Sequence, residues 1–106
     1  MRSSVTTHPI VLTDSHIIDR TRAYVRESFL YARADWVLND DDSLIDSGVI
    51  DSIGAVELIA FLQDTFGLTI PEDEITESNL GSLAAIGHYV YEKLREQDAE
   101  EDLRSP

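Results

Sequence analysis

The sequence contains no cysteine, which excludes disulfides, thiolate metal sites and cysteine nucleophiles. It contains no apolar run near the ~18 residues that a membrane span requires. The basic-then-apolar pattern of a signal peptide is also missing from the N-terminus. A cytoplasmic protein is therefore expected. No stretch alternates apolar and polar residues over a useful length, so strands are not expected either. The most informative absence is positive charge: the 59 residues from Ala34 to Glu92 hold no Lys or Arg, against thirteen Asp and Glu. The residues before this span carry five Arg and three acids, so the net charge of −13 is concentrated in the middle of the chain. Such a field repels phosphate backbones and anionic lipid, which argues against nucleic acid and membrane surfaces as partners and favours basic protein patches. Solubility alone explains a negative sign, but it explains the missing bases less well.

With 106 residues, 42% of them hydrophobic, the chain suits one compact domain with one modest core. Residues 1–12 show no helical period and read as a flexible tail. Residues 13–97 read as the folded domain, and the acidic run from residue 98 to 106 reads as a frayed second tail. A first helix starts at Thr13 or Asp14, either of which can cap it, places Ile17, Ile18, Thr21, Val25, Ser28 and Phe29 at helical spacing, and ends near Arg33 or Ala34. Asp35 to Asp51 is rich in turn residues yet punctuated by Trp36, Leu38, Leu44, Val49 and Ile50. That pattern predicts a long loop pinned by apolar anchors. A second helix runs from Ser52 to about Phe66 and stops at Gly67. A short helical turn follows near Glu72 to Ser78, with Pro71 at its start. The last main helix is capped by Ser82 and buries Leu83, Ile86, Val90 and Leu94, with Lys93 and Arg95 near its C-terminal end where the macrodipole favours cations. The expected fold is all-α: a small four-helix bundle of three main helices and one short one, with a long first loop.

Catalytic and metal motifs do not account for this sequence. The run "NDDDSLID" places Leu44 and Ile45 where a calcium loop starting at Asp40 needs an oxygen ligand and a glycine. No serine sits in a G-x-S-x-G elbow, and His8, His16 and His88 show no ligand spacing. A small enzyme built on His88 and nearby carboxylates would show turnover by the unmodified chain, and no such activity is expected. The second helix is more telling. At about 100° per residue, Ala55, Leu58, Ile59, Leu62 and Phe66 share one face, whereas Ile53, Val56 and Ala60 project on another, bordered by Glu57 and Asp64. An apolar stripe that the core does not need, beside a serine at a helix start, raises the question of what it meets. Extra core packing under the long loop is the bland answer.

The stretch "DSGVIDSIGAVELIAFLQDTFGLTIPEDEI" resembles the acyl and peptidyl carrier protein family. It shows an Asp-Ser-aliphatic triplet opening a helix, then Val-Glu-Leu, a Phe at the helix end and an Ile-Pro-acidic segment. The resemblance covers the second helix and its flanks; the first and last helices agree only in order, length and hydrophobic pattern. It implies a carrier whose serine is esterified with 4′-phosphopantetheine from coenzyme A, with Ser52 at the matching position. Asp51 matches the acid that helps the phosphopantetheinyl transferase bind its metal and coenzyme A. "GVIDS" and the early Gly54, which costs about 1 kcal/mol in a helix relative to Ala, are similar to D-alanyl carrier proteins and to free-standing carriers of specialised pathways. Housekeeping fatty-acid carriers are usually more acidic along this helix. The resemblance thus implies a non-catalytic, monomeric carrier of acyl or aminoacyl thioesters in polyketide, nonribosomal peptide or related biosynthesis. Its partners would be the transferase, an acyl- or aminoacyl-loading enzyme, and ketosynthase, acyltransferase or condensation-type enzymes with basic docking patches. These enzymes would meet the face formed by Ile53, Val56, Glu57, Ala60 and Asp64. Physical chemistry agrees at Ser52, since a phosphodiester at a helix N-terminus meets unsatisfied N–H groups and the positive end of the macrodipole. The competing reading is an acidic helical interaction module in which Ser52 is only an N-cap.

Overall fold

The computed structural model describes residues 13–104, and the side chains as far as residue 98. The expected tail at residues 1–12 lies outside the described residues, as do residues 105–106. Four α-helices follow one another: α1 (Asp14–Phe29), α2 (Ser52–Phe66), α3 (Glu77–Leu80) and α4 (Leu83–Arg104), with one 3₁₀ turn at Glu72–Glu74. No strand occurs among the described residues, and the all-α, four-helix arrangement expected from the sequence is the one observed. No helix among the described residues is long and apolar enough to cross a membrane.

Thr13 caps α1 through a box with His16: the Thr13 hydroxyl accepts from the His16 N–H, and the His16 ring accepts from the Thr13 N–H. Ile17, Thr21 and Val25 are buried, whereas Ser28 is exposed and Ile18 and Phe29 are half-buried. The helix ends at Phe29, four or five residues earlier than its residue pattern predicts. Leu30 leaves helical geometry and is buried, and Arg33 and Trp36 continue as turns. "YARA" is a capable helical sequence, but anchoring Leu30, Trp36 and Leu38 in the core outweighs local propensity. The Arg26 guanidinium fixes the turn by donating to the Trp36 carbonyl at 2.9 Å.

The long loop is pinned as expected, with Leu38, Leu44, Val49 and Ile50 buried and Trp36 half-buried. Backbone bonds from Leu44 to the Gly81 carbonyl and from Ala84 to the Asp40 carbonyl tie it to the start of α4. Ser82 caps α4 by accepting from the Ala85 N–H at 3.1 Å. Leu83, Ile86 and Val90 are buried, joined by Tyr89 and by Gly87, where a Cβ would lie 2.6 Å from Ile18 Cγ1 of α1. One expectation for α4 is corrected. The helix is long and continues to Arg104; Glu, Ala and Leu are good helix formers. Lys93 and Arg95 are consequently mid-helix, and they pair with carboxylates rather than with the C-terminal carbonyls. The single short helix expected near Glu72 to Ser78 is two pieces. The 3₁₀ turn follows Pro71, and α3 is capped by Thr76, which accepts from the Asn79 N–H.

Candidate functional site at the start of α2

The chain enters α2 through Asp51 in an extended conformation, φ −97° and ψ −176°. Its carboxylate accepts from the Gly54 N–H at 2.7 Å, so Asp51 is the N-cap. Ser52, expected from the sequence to fill that position, is instead the first helical residue and is exposed. Both residue types make good caps, and the choice falls to whichever takes the extended backbone. Its consequence is chemical: the hydroxyl of Ser52 is relieved of capping and faces solvent. The first turn carries no acidic residue, so the positive end of the helix is offset only by the cap itself.

Gly54 has a packing reason. A Cβ there would stand 2.8 Å from Phe29 Cε1 and 3.0 Å from Ile50 Cγ2. The glycine lets the end of α1 and the loop close against the first turn of α2, and this close approach offsets its poor helix propensity. Gly67 ends the helix at φ 68° as expected, and the Gln97 side chain donates to its carbonyl.

α2 divides its faces as its spacing predicts. Leu58 and Leu62 are buried, and Ala55, Ile59 and Phe66 are partly so. Ile53 is 74% exposed and Val56 67% exposed, while Ala60, Glu57 and Asp64 are exposed beside them. Packing of this stripe under the loop does not occur. The structure thus leaves Asp51, Ser52, the stripe of Ile53, Val56 and Ala60 and its bordering Glu57 and Asp64 all exposed on α2 and its N-cap.

Two features are absent from the sequence-based expectations. An apolar pocket of about 180 Å³, partly open to solvent, is lined by Ala55, Leu58 and Ile59 of α2, Leu44 and Ile50 of the loop, and Leu80 of α3. The buried Tyr89 donates its hydroxyl to Glu74 Oε1 at 2.5 Å, and Lys93 Nζ lies 3.1 Å from the same oxygen. The hydrogen bond from Tyr89, then that from Lys93, holds the Glu74 carboxyl below its ordinary range. Burial, followed by the bond to Glu74, raises the Tyr89 phenol above its own. Tyr89 and Lys93 are one helical turn apart, which is the only sequence signal for the pair, and nothing local says that Glu74 meets them. His88, the histidine of α4, is exposed, and no cluster of three metal-ligating side chains occurs among the described residues.

Comparison with known proteins fits this geometry. A family model described as "Phosphopantetheine attachment site" matches residues 28–86, more than half of the chain, with Ser52 inside the match. D-alanyl carrier proteins of Streptococcus pyogenes serotype M5 (strain Manfredo), serotype M49 (strain NZ131) and serotype M1 are each 39% identical to it over 46 residues. That match takes in 43% of this chain and spans 58% of the length of these curated relatives. A helical bundle with an exposed serine opening its second helix, in a segment that fits the attachment-site model, belongs to the phosphopantetheine-attachment family, whose cofactor is covalently bound 4′-phosphopantetheine.

Proposed function

We propose that this protein is a carrier that holds acyl or aminoacyl groups as thioesters on a 4′-phosphopantetheine arm attached to Ser52, and presents them to partner enzymes. One observation carries the assignment to Ser52. Two serines within the matched segment stand at the cap or first position of a main helix; the Ser82 hydroxyl is consumed by capping α4, whereas the Ser52 hydroxyl is exposed and replaced in that duty by Asp51. The residues fit the group: a phosphodiester on Ser52 would stand at the positive end of α2, where the first turn holds no acid to repel it. When bound, the arm supplies the thiol that this cysteine-free chain lacks. Asp51 keeps one carboxylate oxygen away from Gly54, which suits a part in the metal and coenzyme A binding of the modifying transferase.

The stripe of Ile53, Val56 and Ala60, with Glu57 and Asp64 beside it, is the surface read by the transferase, by an acyl- or aminoacyl-loading enzyme and by ketosynthase, acyltransferase or condensation-type enzymes. Apolar contacts would supply most of the affinity, and the carboxylates would steer encounter with a basic patch. The D-alanyl carrier proteins support an aminoacyl cargo. Polyketide and nonribosomal peptide biosynthesis are the settings in which a cytoplasmic, monomeric, non-catalytic carrier of this pattern would serve. The deciding experiment is mass spectrometry after incubation with coenzyme A and a broad-specificity phosphopantetheinyl transferase. The wild type is expected to gain one phosphopantetheine and Ser52→Ala none, with unchanged circular dichroism. Modification of Ser52→Ala would falsify the assignment.

A further inference from the structure

A chain of aromatic side chains runs along α1 and touches α2 at two places. Near the middle of α2, Phe61 stacks on Tyr24, with ring centroids 4.0 Å apart and planes 11° from parallel. Arg20 lies over the same Phe61 ring, 5.5 Å from its centroid. Tyr24 also meets Phe29 edge-on, at 5.9 Å and 81°. Phe29, the last residue of α1, reaches the first turn of α2: a Cβ on Gly54 would stand 2.8 Å from Phe29 Cε1. The same Cβ would stand 3.0 Å from Ile50 Cγ2 and 3.3 Å from Asp51 Oδ1, the oxygen that accepts from the Gly54 N–H at 2.7 Å. Gly54 is therefore where the Phe29 ring and the cap of α2 meet, two residues after Ser52. Gly54 and Phe61 are about two turns apart on one side of the helix, so the rings of α1 brace α2 at both positions. Stacked and edge-to-face rings attract beyond their area burial, so Phe29 is no free end that swings aside at no cost.

We propose that Phe29, held by Tyr24, is a positioning residue for phosphopantetheine transfer: its ring against Gly54 fixes the first turn of α2, and with it the Asp51 cap and the direction of the Ser52 hydroxyl. The role rests on Ser52 being the attachment point. Transfer forms a bond from Ser52 Oγ to the phosphorus of the pantetheine phosphate and breaks the bond from that phosphorus to the 3′,5′-ADP portion of coenzyme A, while the hydroxyl proton passes to a base of the transferase. Such a displacement depends on where its nucleophile points, and a misplacement of about 1 Å can cost about 100-fold in rate. Gly54 is buried, whereas Ile53, Val56 and Ala60 are exposed, so positioning and docking are separable in kinetics.

The test uses the full chain, coenzyme A and a broad-specificity phosphopantetheinyl transferase, with initial rates of arm attachment followed against carrier concentration. Gly54→Ala improves local helix propensity, yet it should lower kcat by about ten-fold or more while KM for the carrier stays within about three-fold of wild type. Hydrogen exchange at the amide of residue 54 should be about ten-fold faster in the unmodified variant. Adding Phe29→Leu, which deletes the contacting Cε1, should recover most of kcat and of that protection. A wild-type kcat in Gly54→Ala would show that the contact is dispensable, and a raised KM at unchanged kcat would make Gly54 part of the docking surface. Unchanged exchange at residue 54 would mean that the ring does not fix the first turn. A loss that Phe29→Leu does not restore would leave Ile50, not Phe29, as the side chain that Gly54 makes room for. A wild type that gains no arm would overturn the Ser52 reading and this role with it, whereas a modified wild type matched by Gly54→Ala overturns this role alone. Should Gly54→Ala fail to fold, Tyr24→Leu, which keeps Gly54 and removes the ring that holds Phe29, is expected to lower kcat at unchanged KM, and a wild-type kcat there would equally overturn the proposal.

Discussion

Asp51 and Ser52 are adjacent, and each has the chemistry to cap α2, but only Asp51 does so. Removing each side chain should therefore have unequal effects on folding. Asp51→Ala is expected to cost about 0.5–2 kcal/mol in urea denaturation, with Asp51→Asn restoring most of the loss. Ser52→Ala, at an exposed first helical position, should stay within about 0.5 kcal/mol of the wild type. An equal loss in both would return the cap to Ser52. The serine pattern was legible in the sequence. Which neighbour caps was not, because that is decided by backbone angles set by Val49 and Ile50 docking in the core. Thr21 is a second residue whose role the sequence concealed. Its helical spacing marks it as buried, and it is, but its Oγ1 has no hydrogen-bond partner among the described residues. A buried hydroxyl left unpaired costs about 1–3 kcal/mol. Thr21→Val, close in shape, should accordingly raise stability by about 1 kcal/mol, measured by denaturation at neutral pH.

At the scale of elements, α2 is held by apolar burial, whereas the 3₁₀ turn at Glu72–Glu74 buries no side chain and is tied to α4 through Glu74. Val56 is largely exposed, so Val56→Asp should leave the melting curve nearly unchanged while abolishing loading by a cognate enzyme. Glu57→Lys should slow loading most at low salt, since a rim charge acts on encounter. If Val56→Asp unfolds the chain, the stripe belongs to the core; if it loads normally, partners read another surface. That turn should respond to pH. The Glu74 carboxyl is held below its ordinary value of 4.5, so its contribution to stability is present above pH 4.5 and is lost as pH falls through its folded value. Around it stand Tyr89, Lys93 and Glu96 on α4 and Asp73 in its own turn. Glu74→Gln should melt below the wild type at pH 7, and the gap should close as acid protonates the wild-type residue. A gap independent of pH would mean that charge plays no part. Periodicity revealed α2, α4 and the start of α1, because their buried stripes repeat every three or four residues. It missed the early end of α1, the division of the short helix and the Glu74 contacts with α4, since each depends on contacts that no single helical period encodes: Leu30 with the core, Asn79 with the Glu74 carbonyl, and Tyr89 with the Glu74 carboxylate.

Across the whole molecule, the described basic residues reach only a small part of the acidic span. Arg22 pairs with Asp19 and Asp40, Arg26 holds the Trp36 carbonyl, and Arg20 and Arg33 lie over the rings of Phe61 and Trp36. Lys93 reaches Glu74 and Glu96, and Arg95 reaches Glu92. Of the thirteen carboxylates between Ala34 and Glu92, ion pairs among the described residues thus reach only Asp40, Glu74 and Glu92. The others face a field of their own sign, which opposes compaction. Exposed pairs of this kind contribute little, so repulsion should dominate the salt response. Raising ionic strength from about 0.01 M to about 0.15 M shortens the Debye length from about 30 Å to about 8 Å, which screens repulsion between elements more than pairs in contact. Recovery of about 1 kcal/mol would raise the melting temperature by about 4–8 °C for a domain of this size. The chain should therefore melt higher in physiological salt than in dilute buffer. Its association with a basic docking partner should weaken over the same range, because that attraction is screened too. A melting temperature that stays flat or falls with salt would mean that the few ion pairs outweigh the unpaired carboxylates, and that the acidic span is balanced internally rather than held ready for a partner.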